Sequence, residues 1–501
     1  MNEFRRSLHF VAVVVVIIAL LGPLSGWAPG AREARRIGSD RQLFIDTVLV
    51  ENSRNVALTM NPPVKTGERS IVAENPWESF YAGGYNTVME DEGIYKMWYE
   101  CSSRDVRFRG VCYATSRDGI RWEKPVLELF EFNGSKQNNI LLECQGAPGS
   151  VFLDPRKPDG NRFKYLEWRK VPGKERPPTL SLVLFTSPDG LHWKPYLDGP
   201  ILTMKDQFDT QNQIFWDDRI EKYVGYVRLN HRIASRHRRF LNNYPIRKVG
   251  RFETADLAKC PTPEVVFSSD STDPEESDHY ISCVMKYPLS KDVYLMFPSA
   301  YLHDLEAKRN NDDGPMDIQL ATSHDGIQWL RQDRRPYVRR GLEGSSDGGS
   351  LYMTIGMLQR GSEIWTYYTG YDFTHGGYDK TTRLKGVVSR LVQRLDGFMS
   401  LDSAYEGGEF TTVPLVFTGN RLKLNIDTSA MGSARVEILD QSERPVPGFT
   451  MSDCDTINGN YINREVTWKN QSDVGGLAGK TVRLRFDMRS SKLYAFQFTG
   501  S

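Results

Sequence analysis

Six cysteines in 501 residues are too few to build the fold from disulfides. Cys144, Cys260, Cys283 and Cys454 show no CxxC-type ligand spacing and read as free, buried thiols. Cys101 and Cys112 flank a predicted hairpin and are placed to pair across its strands. An excess of one charge is also missing. The 64 Lys and Arg stand against 63 Asp and Glu, which gives no reason to expect a nucleic-acid partner. No P-loop, GxGxxG, HExxH or GxSxG occurs in a credible context, which argues against redox-cofactor and serine-hydrolase chemistry. The sequence calls for no cofactor; an axial divalent cation stays open, without ligand spacing to support it. Past residue 30 no apolar run is long enough to span a bilayer. Charged residues at 25% and hydrophobic residues at 39% argue against global disorder. No obligate protein partner is evident.

What is present begins at the N-terminus. Arg5 and Arg6 precede an apolar run from Phe10 to Leu21, which Gly22, Pro23 and Gly26 then break. This order reads as a secretory signal peptide over residues 1–30. The protein is expected to be secreted or periplasmic, or tethered if the segment stays uncleaved.

A repeat then sets the architecture. Ser116-Arg-Asp118-Gly119-Ile-Arg-Trp122, Ser187-Pro-Asp189-Gly190-Leu-His-Trp193 and Ser323-His-Asp325-Gly326-Ile-Gln-Trp329 share the pattern S-x-D-G-x-x-W. Asp-Gly suits a tight turn between strands, and the Trp starts the next strand and packs back. Degenerate copies at Asp256 and Asp396 complete a period of roughly 70 residues. Each period holds alternating, aromatic-rich runs bounded by turn residues, which are strands. Four strands per period, five times over, predict an all-β fold: a five-bladed β-propeller over residues 40–400. The alternating runs of residues 401–501 predict a C-terminal β-sandwich. The periodic Trp122, Trp193 and Trp329 belong to the scaffold.

The five-fold propeller with S-x-D-G-x-x-W turns resembles the superfamily of arabinanases, levansucrases and invertases, which includes glycoside hydrolase families 32, 43, 62, 68, 117 and 130. The resemblance covers about residues 40–400. The segment Gln42-Leu-Phe-Ile-Asp46, with a propeller and sandwich tail behind it, is similar to exported bacterial proteins of the family 43 or 32 type. Invertase signatures of the WMNDPNG type are absent, which argues against a standard sucrose or fructan hydrolase. The resemblance implies a glycosidase whose acidic residues sit on successive blades, facing one funnel.

Acids near the first strand of each unit are the catalytic candidates, because glycoside hydrolysis needs two carboxyl groups. They are Glu78, Asp209, Glu276, Asp278, Glu343 and Asp347. Asp154 precedes Pro155 and reads as a turn residue, and Asp46, among apolar neighbours, reads as structural. By analogy Glu78 would be base or nucleophile, Asp209 would orient substrate, and Glu276, Asp278 or Glu343 would be the acid. The superfamily commonly uses Asp on the first blade, so Glu78 departs from its pattern. Sugar-contacting candidates are Trp77, Tyr81, Gln211, Arg228, His279, Tyr371 and His375. The stretch His231 to Arg251 holds six Arg and one Lys with no acid, and Arg107 and Arg109 form a weaker cluster. These fit an anionic sugar, against the plainer reading of solvated basic loops. The expected partner is therefore a carbohydrate. The competing readings are a non-catalytic glycan-binding propeller and a phosphorolytic enzyme.

Overall fold

The computed structural model describes residues 33–500, apart from Asp105 and residues 157–159, 174–176, 234–243, 304–312 and 378–385. The predicted signal peptide lies outside the described residues, as does the middle of the basic stretch. Nearly every element is a strand, and the only helices among the described residues are two single 3₁₀ turns.

Antiparallel units follow one another along the chain. The first pairs Tyr81–Asp91, Ile94–Ser103, Phe108–Ser116 and Ile140–Glu143. The second pairs Ala147–Leu153, Phe163–Lys170 and Thr179–Ser187, with two short outer strands. The third pairs Gln213–Asp217, Lys222–Ile233, Tyr244–Thr254 and Glu264–Phe267. The fourth is built from interrupted strands, Ser277–His279 with Val284–Lys286, Tyr294–Met296 with Ser299–Leu302, and Met316–Ile318 with Ala321–Ser323. The fifth pairs Ser350–Met353, Glu363–Tyr371 and Val387–Arg394, and its outer strand is Val64–Val72 from the front of the chain.

Hydrogen bonds tie each unit to the next. The Val151 amide donates to Thr87 Oγ1 (3.2 Å), and the Ser150 amide to the Asn212 carbonyl (3.0 Å). Gln213 Nε2 donates to the Val284 carbonyl (2.6 Å), and Ser299 Oγ to the Leu351 carbonyl (2.9 Å). The Val88 amide donates to the Ile355 carbonyl (2.8 Å), which brings the fifth unit back to the first. The result is a propeller.

The repeated turns bolt this ring together. In each, the serine hydroxyl accepts the glycine amide, at 2.8 Å in Ser116, 2.9 Å in Ser187 and 2.9 Å in Ser323. The aspartate Oδ1 accepts the next two amides, as Asp118 does from Ile120 and Arg121 at 2.8 Å each. The glycines sit at φ of +73°, +80° and +72°, a conformation that a Cβ would strain. Their carbonyls each accept a bond from the preceding unit: Tyr367 to Gly119 (2.5 Å), Trp98 to Gly190 (2.8 Å) and Tyr226 to Gly326 (2.6 Å). Trp122 packs edge-on to that same Tyr367, and Trp329 to that same Tyr226. The degenerate copy at Asp256 keeps its local bonds to Thr254 and Ala258. The copy at Asp396 is buried and instead binds Arg41 (2.6 Å), Tyr287 (2.7 Å) and Asn425 (2.8 Å).

Two six-stranded sheets form the sandwich. One contains Arg35–Gly38, Val50–Arg54, Gly408–Thr412, Leu415–Phe417, Ser433–Leu439 and Thr481–Arg489. The other contains Gln42–Leu43, Val56–Met60, Met399–Ser403, Arg421–Asp427, Asn460–Glu465 and Ser491–Thr499. Inward residues alternate along the strands and meet in an apolar core, with Phe417 stacked on Phe498 (3.7 Å) and Phe410 on Phe486 (4.6 Å). The strands of residues 35–60 thus belong to the sandwich, whereas the sequence reading starts the propeller at residue 40. Short alternating strands carry no mark of which sheet they join. All six cysteines are free, so Cys101 and Cys112 are not joined.

Candidate functional site

The first two strands of the first unit lose register between Ala82 and Asn86. Residues 83–85 bulge there, opposite Glu100. A bulge re-aims side chains, and two glycines permit it, with φ of +88° at Gly83 and +113° at Gly84. A Cβ on Gly84 would lie 2.6 Å from Glu100 Oε2. Glycine at this position therefore lets the carboxylate sit against the backbone.

Glu100 is buried, yet its head group faces a cavity of about 370 Å³. Tyr81 donates its hydroxyl to Glu100 Oε1 (2.7 Å), the Tyr85 amide donates to Oε2 (3.3 Å), and Arg109 forms an ion pair with it. The other walls come from the fourth and fifth units: Tyr280, Tyr352, Tyr371, Phe373 and His375. His375 Nδ1 lies 2.8 Å from the Tyr352 hydroxyl, and its ring lies 4.4 Å from that of Tyr280. Burial pushes the phenols of Tyr81, Tyr85, Tyr352 and Tyr371 well above their ordinary range, so they stand as neutral hydrogen-bonding groups.

A second carboxylate stands beside this cavity. Arg228, itself buried, donates to Asp209 Oδ1 (2.7 Å) and lies 4.1 Å from the centre of the Tyr280 ring. The Asp209 side chain is 48% exposed. Its neighbour Thr210 donates to the Tyr85 hydroxyl (3.2 Å), while the Tyr85 amide serves Glu100. One tyrosine therefore spans from Glu100 to the residue next to Asp209. A third acid, Asp278, is buried behind the wall with Arg247 (3.1 Å) and His303 (3.2 Å). Burial would raise its carboxyl, but Arg247 and His303 bring it down to about 2.

The other sequence candidates lie elsewhere. Glu78 is buried in the turn Pro76–Glu78, outside the cavity lining. Its carboxylate accepts the amides of Glu74 and Asn75 (3.1 Å each) and the Tyr99 hydroxyl (2.7 Å), and pairs with Lys124 (2.9 Å). Trp77 donates to Asn139 (2.9 Å) and packs on Phe132 in the first unit's own core. Gln211 is buried and donates to the Asn86 carbonyl (3.0 Å), tying the third unit to the first. Glu276 is half-buried and its carbonyl accepts the His303 amide (2.9 Å). His279 packs on Phe267 and lies 3.3 Å from Arg331; burial and that guanidinium lower it to about 4. Glu343 is exposed in a loop. Asp347 pairs with Lys65 (2.7 Å) and accepts from Tyr368 (2.8 Å). Asp154 caps its turn at Arg156 and accepts from Tyr223 (2.6 Å).

The structure thus brings Tyr81, Tyr371 and His375 together in one cavity, with Arg228 and Asp209 beside it. It adds Glu100, Tyr85, Tyr280 and Tyr352, which the sequence reading did not single out. Among the described residues, no group of three or more His, Cys, Asp or Glu is arranged to hold a metal ion. No helix among them is long and apolar enough to cross a membrane.

No family model matches this chain, and no curated protein matches it. Similar solved structures include one described as a glycoside hydrolase, at 14% identity and a TM-score of 0.44, covering 66% of this chain and 92% of that one. An N-acetylgalactosamine deacetylase from F. plautii, in complex with blood group B trisaccharide, is 14% identical at a TM-score of 0.44, covering 68% and 96%. An exo-inulinase from Aspergillus awamori is 11% identical at a TM-score of 0.42, covering 88% and 98%.

Proposed function

We propose that the chain is an exported carbohydrate-active enzyme that hydrolyses a glycosidic bond in the axial cavity. The observation that carries this is the cavity wall itself: aromatic rings on several sides, neutral phenols between them, and Glu100 fixed among Tyr81, Tyr85 and Arg109. A sugar ring offers an apolar face and a rim of hydroxyls, and such a wall matches both. Hydrolysis needs a second carboxyl group, and Asp209, whose neighbour Thr210 bonds the tyrosine that holds Glu100, is the candidate. In this assignment Glu100, fixed from three sides, is base or nucleophile. Asp209, half-exposed and paired with Arg228, is the carboxyl group assigned opposite it. Tyr81 and Arg109 position Glu100, and Arg228 positions Asp209.

A second reading is a saccharide-binding propeller without turnover. It is favoured by Glu100 being, among the described residues, the one carboxylate in the cavity lining, and by all three nearby acids having arginine partners. A glycan panel tested with the purified protein separates the two. Hydrolysis of at least one glycan, lost in Glu100→Gln and Asp209→Asn, supports the enzyme. Binding without turnover in the unaltered protein supports the second reading. Unchanged turnover in both variants would overturn the site.

A further inference from the structure

A second cleft, of about 420 Å³, lies away from the axis, where the chain passes from the sandwich strand Val56–Met60 into the outer strand of the fifth unit. Its charged lining is of one sign. Lys65, Arg335, Arg339 and Arg340 face it, and among the described residues no carboxylate lines it, Asp317 acting on Arg339 and Arg340 from the adjoining cleft. In a chain whose charges almost cancel, such a cleft requires an account. Its volume falls within the range of small-ligand sites, about 300–1,000 Å³.

The cations are held in place. Lys65 donates to Asp347 (2.7 Å) and to the Arg339 carbonyl, and its ammonium lies 5.3 Å from the centre of the Tyr368 ring. Arg340 donates to the Gly348 carbonyl (3.0 Å), and Arg335 is fixed by Asp333 (2.9 Å). Both carboxylates that fix these groups, Asp347 and Asp333, stand outside the cleft lining. Arg339 and Arg340 are exposed. Pro62, Pro63 and Pro336 supply rigid walls with no amide donor to compete for a ligand.

We propose that this cleft binds an anionic saccharide, a carboxylated or sulfated sugar unit, at a site separate from the axial cavity. Guanidinium groups form paired bonds to carboxylate and sulfate oxygens, which neutral hydroxyls cannot match. The ligand class rests on the saccharide reading of the axial cavity; the site itself rests on the charge and shape of the cleft. A nucleic-acid strand would need a long basic track, and this cleft is bounded by prolines and by the buried Tyr337 and Val338.

The test is calorimetric titration of the full chain with three probes: hexagalacturonate, a sulfated hexasaccharide and neutral maltohexaose. At least one anionic probe is expected to bind, with an affinity that falls as salt is raised. The exposed pair Arg339→Ala/Arg340→Ala is expected to weaken it tenfold or more without moving the melting temperature. Arg339→Lys/Arg340→Lys, which keeps the charge and loses the fork, is expected to fall between. Glu100→Gln is expected to leave this binding unchanged. The inference is overturned if neither anionic probe binds more tightly than maltohexaose, or if the alanine pair binds as the unaltered chain does. It is also overturned if Glu100→Gln abolishes the binding, or if a single-stranded oligonucleotide binds more tightly than either sugar. Absence of glycosidase turnover, with cleft binding intact, would strike the axial reading alone.

Discussion

The outer turns and the axial cavity solve opposite problems. Each S-x-D-G-x-x-W turn satisfies its own backbone within seven residues, so Ser116, Ser187 and Ser323 repeat one set of bonds almost to the tenth of an ångström. The cavity repeats nothing. Glu100 depends on a bulge in the neighbouring strand and on Arg109 across a hairpin, and the facing wall comes from strands hundreds of residues later. Local chemistry makes the scaffold periodic, whereas convergence of unlike residues makes the site.

That contrast can be broken or sharpened by substitution. The largest effect is expected at Glu100→Gln. If the carboxylate acts as proposed, turnover falls by about 10²–10⁴-fold, the usual yield of acid–base groups, while the melting temperature barely changes. Glu78 is the counterpart, an acid whose work is local. Glu78→Ala leaves Lys124 with Glu74 (3.1 Å) but takes the acceptor from two amides and the buried Tyr99 hydroxyl, and chemical denaturation should show a loss of about 1–3 kcal/mol with activity per folded molecule intact. Equal loss of activity in both variants would erase the distinction.

A third region lies between these extremes. His324 joins Asp292 of the fourth unit to Asp46 of the sandwich, at 3.5 and 3.3 Å. Burial would lower this imidazole, but the two carboxylates outweigh it and raise it to about 9. A raised histidine contributes its full stability below its ordinary value of 6.5 and loses it as pH rises through 9. The shift corresponds to at most about 3 kcal/mol, at 1.36 kcal/mol per unit. Denaturation midpoints should therefore fall between pH 7 and pH 10, and His324→Gln should flatten that slope.

Smaller effects are expected in the turns. Gly190→Ala places a Cβ 2.7 Å from the Trp98 ring at positive φ, and should cost about 2 kcal/mol. Asp189→Ala removes the acceptor for two amides and should cost about 1 kcal/mol in the same assay, much as the loss of a helix cap does.

The same contrast explains what could be read in advance. The strands, the period and the turns are legible because their signals are local: alternation, Asp-Gly, and a tryptophan three residues on. Tyr81 and Tyr371 could be singled out at strand ends beside glycines, and His375 in the glycine-bearing loop that follows Tyr371. Glu100 is harder to read, because it sits inside the aromatic run Ile94–Ser103, the second strand of its unit, whereas the expectation rests on acids near first strands. Its signal was present in Gly83-Gly84, a glycine pair inside a strand pattern, which marks a close approach of something to the backbone. Nothing comparable announced Tyr280 or Tyr352, whose role depends on which units face each other. The sandwich share of residues 35–60 was hidden for the same reason, since partners more than 300 residues apart leave no local trace.

The strand Val64–Val72 has a consequence for how the protein is made. It is the outer edge of the fifth unit, yet it leaves the ribosome before any of that unit's other strands. The first complete unit can pair as soon as it emerges, but the ring stays open until Val387–Arg394 arrives to receive the waiting strand. The early segment must be kept from pairing elsewhere while more than 300 residues follow it. Removal of either end of the propeller should therefore leave an open arc with a bare edge.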